Sequence, residues 1–170
     1  MPERIVYMDY NATTPLHPQV KQALVDSFDI YGNASSMHAA GRRAYEEVEK
    51  ARRVVAEFLG AYSEEIVFTG GGSESNNTVL QMINCGSASC RCIARGKVGL
   101  ITSRIEHPSV LNVAEFLENK GIRVHYLSVD RTGKVNKEEY RKVLEEQPAL
   151  VSIMMANNEI GTIQDISELA

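Results

Sequence analysis

The feature that most constrains this chain is an alternation along its length. Short apolar runs that end in polar or glycine-bearing loops alternate with stretches whose apolar residues recur every three or four positions. Apolar strands joined by helices imply a mostly parallel sheet, because each parallel pair needs a crossover and the crossovers cover the sheet. The expected fold class is therefore α/β, with a mostly parallel sheet and helices on both faces.

The pattern places helices at residues 19–29 and 37–59. The second carries the stripe Ala44, Val48, Ala51, Val55, Phe58 and stops at Gly60. A short strand is expected at 65–69, then a helix from near Ser73 through Ile83. Strands at 97–102, 122–129 and 150–155 alternate with helices at 108–120 and from Asn136 to 146. Pro108 suits a first-turn position and Gly121 a helix end. Asp130-Arg131-Thr132-Gly133 reads as a turn, and Asn136 with Glu139 as a capping box.

At 170 residues the chain can bury roughly 70% of its unfolded surface, enough for a true core. No apolar run approaches the roughly 18 residues of a membrane span. The first residues carry charge without an apolar signal core, so a cytosolic location is expected. The net charge of −4 comes from 18 basic and 22 acidic residues, well mixed. That balance argues for neither a nucleic-acid nor a membrane-surface partner.

In parallel sheets ligands sit beyond the carboxyl ends of the strands. Those ends carry 70–72, 103–107 and 156–161. Gly70-Gly71-Gly72-Ser73 follows a strand and opens a helix, so its backbone N–H groups could cradle a phosphate. It is neither a Walker loop nor a dinucleotide fingerprint, and a plain tight turn has equal standing. His107, between a strand and a helix, could stack on a planar ligand, act as acid or base, or simply cap the helix. Glu106 could orient that ring or be solvated. Asn157, Asn158 and Glu159 could bind a polar ligand or form a turn, since such groups are costly to bury unpaired. Cys85, Cys90 and Cys92 do not have a zinc spacing, and free thiols are the simpler reading. Among the other histidines, His17 reads as surface, His125 as structural, and His38 as part of a polar loop.

Four segments taken together resemble one family. They are Asp9-Tyr10-Asn11-Ala12-Thr13-Thr14-Pro15; Tyr31-Gly32-Asn33-Ala34-Ser35-Ser36 with His38 and Gly41; Gly71-Gly72-Ser73-Glu74-Ser75-Asn76-Asn77; and Ile105-Glu106-His107-Pro108 with 157–161. Their order and spacing resemble the pyridoxal-phosphate-dependent cysteine desulfurases. The resemblance implies an aspartate-aminotransferase-like large domain, incomplete at its C-terminus, and a homodimer. Residues 1–16 would then pack with a small domain, and residues 17–170 would form the N-terminal portion of the large domain. It implies conversion of L-cysteine to L-alanine with a persulfide passed to an iron–sulfur scaffold or another sulfur acceptor, including thiolated-RNA biosynthesis. Carried over by residue, Gly72 and Ser73 match the cofactor-phosphate positions. His107 matches the ring-stacking, proton-transferring histidine, and Asn158 the partner of the cofactor's phenolic oxygen.

The chain departs from the family at several points. The family has Thr where this chain has Ser73, and the region 85–97 is longer than usual. The Schiff-base lysine, the acid facing the pyridine nitrogen and the nucleophilic cysteine have no counterpart here; none of the seven lysines follows a His. This chain is expected not to turn over cysteine alone, and to need a complementing C-terminal portion or chain. A selenocysteine lyase, an aminotransferase of the same fold, and a non-catalytic sulfur-transfer or cluster scaffold are the alternatives. A generic nucleotide-binding domain is weakened by the missing phosphate-loop spacings.

Overall fold

The computed structural model describes residues 6–84 and 99–170. The chain divides into two compact units after Phe68.

The first unit is helical. Helix α1 spans Pro18–Ser27, and His17 caps it by accepting the Gln19 N–H on Nδ1 at 3.3 Å. Helix α2 spans Ala39–Leu59 and is capped in the same way, His38 Nδ1 accepting the Gly41 N–H at 3.2 Å. It ends at Gly60, whose φ of 67° is the left-handed cap expected of glycine. Of the α2 stripe, Ala44 is buried, whereas Val48 and Phe58 are exposed. The helical period is therefore right, but the described residues do not cover that face.

The strand expected at 65–69 is not formed. Ser63–Glu65 makes a 3-10 turn instead, and residues 66–69 have no ladder partner among the described residues. Backbone groups there are satisfied differently. The Ile66 carbonyl accepts from the Arg52 guanidinium, which also pairs with Glu49 at 2.9 Å and lies 4.9 Å over the Phe68 ring.

The second unit carries the sheet. Its elements run α3 (Gly72–Gln81), β1 (Leu100–Ser103), α4 (Pro108–Asn119), β2 (Val124–Leu127), α5 (Lys137–Leu144), β3 (Leu150–Ser152) and α6 (Ile166–Leu169). The strands form a parallel sheet in the order β2-β1-β3, with Leu100 opposite both Val124 and Leu150. Strand alternation sends neighbours to opposite faces. Leu100 joins Leu80, Ile83, Val110, Val113, Ala114 and Leu117 under α3 and α4. Ile101 and Leu127 join Val135, Tyr140, Val143 and Leu169 under α5 and α6. Both faces are thus covered, as the apolar run of β1 requires; all four of its residues are buried.

One capping expectation changes. Asn136 does cap α5, accepting the N–H groups of Glu138 and Glu139. The Glu139 carboxylate, however, does not close a capping box. It takes the Ser128 N–H at 3.0 Å and hydroxyl, and binds His125 Nε2 at 2.7 Å. This confirms His125 as structural, a strand side chain tied to the helix packed over it. The turn at Asp130 forms as expected, Oδ1 accepting the N–H groups of Thr132 and Lys134. Cys85, Cys90 and Cys92, with the first residues of the strand expected from 97, lie outside the described residues.

Candidate functional site at the strand ends

The glycine loop opens α3, and Gly71 is its N-cap. The Glu74 carboxylate reaches back to the Gly70 N–H at 2.6 Å, and the Thr69 hydroxyl meets that of Ser75 at 2.7 Å. Gly71 has an extended φ of 163°, which any residue can adopt. Among the described residues, a Cβ built at Gly71 or at Gly72 would meet nothing within 4 Å. Neither backbone conformation nor packing therefore explains these glycines as a tight turn. The open space beside them, next to the first N–H groups of a helix, fits an approaching anion. Gly72 and Ser73 are both exposed there.

His107 caps α4, its Nδ1 accepting the Ser109 N–H at 3.1 Å, and Pro108 occupies the first turn. The Ser109 hydroxyl stands 2.8 Å from the same nitrogen and accepts from Asn76 Nδ2, also at 2.8 Å. This chain joins the glycine-opened helix to the His107 ring. Because Nδ1 is the acceptor, a neutral ring carries its proton on Nε2. His107 is exposed, so capping fixes the ring through one edge and leaves its face to solvent. The capping reading and the functional reading of this residue are thus compatible.

Glu106 neither orients that ring nor sits in solvent. It is buried, and its Oε1 accepts the Ser103 hydroxyl at 2.7 Å and the Met154 N–H at 2.9 Å. Burial raises its carboxyl above the usual carboxylate range, although the Met154 N–H and the Ser103 hydroxyl pull it down.

The loop after β3 divides its polar residues sharply. Asn157 is buried; its Nδ2 donates to the Ile105 carbonyl at 2.8 Å, and its Oδ1 accepts from the N–H groups of Glu159 and Ile160. Asn158 is exposed, with Nδ2 on Glu159 Oε1 at 2.8 Å. The loop returns through an antiparallel bridge between Ala156 and Ile163. Of the sequence-predicted positions, Ser73 and His107 are joined through their helices by the Asn76–Ser109 link, and Asn158 lies on a loop bonded to the one that carries His107. Asn76 and Ser109 were not singled out individually by sequence reasoning. The available signal was position alone, since Ser109 is two residues past a capping histidine.

Covered on both faces and bearing polar loops beyond the ends of β1 and β3, this second unit is an α/β domain with a parallel sheet. The chain belongs to the aminotransferase class-V family, which its sequence matches over residues 6–170. It is 43% identical over 169 residues to the cysteine desulfurase IscS of Dictyoglomus turgidum, a match covering 99% of this chain and 41% of that protein. Among solved structures, a NifS-like protein superposes with a TM-score of 0.88 at 39% identity, covering 96% of this chain and 44% of the other. A structure of SspA in complex with cysteine gives a TM-score of 0.83 at 35% identity, covering 96% of this chain and 46% of the other. The chain thus spans less than half the length of these relatives.

Proposed function

We propose that this chain supplies the N-terminal part of the pyridoxal-phosphate site of a cysteine desulfurase, which converts L-cysteine to L-alanine and a protein-bound persulfide. The observation that carries the reading is the open space beside Gly71 and Gly72, which the fold itself does not require. The first N–H groups of α3 and the Ser73 hydroxyl hold the phosphate. His107 stacks on the pyridine ring, with its Nε2 proton directed away from the helix it caps. Asn158 donates its side-chain amide to the phenolic oxygen. When bound, the cofactor supplies an electron sink for the substrate carbon.

The likeness to cysteine desulfurases and to a cysteine-bound relative supports the substrate. A homodimer, a cytoplasmic location and transfer of sulfur to an iron–sulfur scaffold or another acceptor complete the proposal. No described helix is long and apolar enough to cross a membrane. The lysine, the ring-nitrogen acid and the nucleophilic cysteine that the family requires have no counterpart in residues 1–170, so the chain alone binds without turning over. Titration with pyridoxal phosphate and with pyridoxal, followed by fluorescence, tests this. The phosphate ester should bind at least about tenfold more tightly, a difference of about 1.4 kcal/mol. Equal affinity for the two would remove the phosphate site.

A further inference from the structure

Glu106 and Asn157 are each one residue from a candidate cofactor contact, His107 and Asn158, and neither reaches out to solvent. Both are buried, and each bonds to the backbone of the other's loop. Glu106 takes the Met154 N–H at 2.9 Å, and Asn157 gives its amide to the Ile105 carbonyl at 2.8 Å. Glu106 is also anchored to the end of β1 through Ser103 at 2.7 Å. Asn157 is anchored within its own loop by the N–H groups of Glu159 and Ile160. No described buried side-chain polar atom is left without a partner, so the arrangement is fully satisfied.

We propose that Glu106 and Asn157 form a reciprocal clasp whose role is to set the spacing between His107 and Asn158. The inference rests on the proposed cofactor site and names positioning residues for it. β3 is short, ending at Ser152, so ladder bonds do not extend to the loop that carries Asn158. The two side-chain-to-backbone bonds take over where the ladder stops. A buried carboxylate is a costly way to join two strands, because its charged form is penalised by burial. Its geometric merit is that one oxygen accepts two donors from two separate segments.

The test compares the parent chain with E106Q, E106A, N157A and V143A, the last a core truncation remote from the loops. Amide hydrogen exchange at Met154 and backbone relaxation at His107 and Asn158 are read by NMR, and pyridoxal phosphate affinity by titration. E106A and N157A should expose Met154 or loosen both contact residues, and weaken the cofactor by about fivefold or more. E106Q, whose amide oxygen can accept the same two donors, should restore both readouts to within about twofold of the parent. V143A should melt earlier with both readouts unchanged. Affinity that falls equally in V143A, or loops in E106A as rigid as in the parent, overturns the clasp. If the parent takes up no pyridoxal phosphate, the cofactor reading fails. The relaxation data then decide the clasp alone: it stands if His107 and Asn158 loosen together, and falls if they do not.

Discussion

In the loop that opens α2, a Cβ at Gly41 would stand 2.3 Å from the Ser36 carbonyl oxygen and 2.7 Å from that of Asn33. In the loop that opens α3, a Cβ at Gly71 or Gly72 would meet nothing within 4 Å among the described residues. Both loops lead into a helix. At Gly41 the chain's own backbone occupies the space, so glycine is a requirement of folding. At Gly71 and Gly72 the space is open, so packing among the described residues imposes no such requirement. The same residue type thus marks a packing constraint in one loop and, under the proposed function, a phosphate-binding surface in the other.

The largest effect is expected at Gly41. G41A should cost about 3 kcal/mol or more, because the obstructing atoms are backbone and cannot swing aside. Chemical denaturation followed by helical circular dichroism checks it; a stable G41A chain would mean that the 33–41 loop gives way. G72A should leave stability within about 1 kcal/mol of the parent, on the favourable side, since alanine suits a helix better than glycine. Its pyridoxal phosphate affinity should nevertheless fall about tenfold, through a methyl placed in the approach to the helix N-terminus. A G72A chain that binds normally would erase the distinction between the two loops.

The smallest expected effect applies the same question to two carboxylates. Burial raises Glu106, whereas the Ser128 hydroxyl bond, the largest cause, lowers Glu139 despite some desolvation. For Glu106 the proton-linked stabilisation is complete below the ordinary glutamate pKa and is lost as pH rises through the raised folded value. For Glu139 it is present above the ordinary value and is lost as pH falls through the depressed one. Relative to the parent, E106Q should therefore gain stability as pH rises through the acid range. E139Q should lose less as pH falls. Urea melts at a series of pH values read both, and slopes of the same sign would refute the assignment of opposite environments.

Much of the second unit was legible in the sequence. The Leu100–Ser103 run, the helix opened by Pro108 and the Asp130 turn each follow from local pattern and local chemistry. The strand expected at 65–69 was not, because an apolar run becomes a strand only with a ladder partner, and Arg52 satisfies the Ile66 carbonyl instead. The α2 stripe shows the same limit: its period predicted a helix correctly, while Phe58 stays exposed. The candidate contacts Gly72, Ser73, His107 and Asn158 come from the resemblance to the desulfurases, residue by residue. That Glu106 turns inward while its neighbour His107 faces solvent could not, because adjacent polar residues at a strand end are indistinguishable in sequence.

The α/β class, the helix periods and the family can be read from residue order alone, since these depend on neighbours a few residues apart and on an ordered set of motifs. Three-dimensional packing settles which polar residues are buried and which remain at the surface. It settles as well that Gly41 is crowded by backbone while Gly71 and Gly72 face open space among the described residues. Burial and hydrogen-bond partnership are properties of segments about fifty residues apart, such as Glu106 with Met154 and Asn157 with Ile105, and no local pattern carries them.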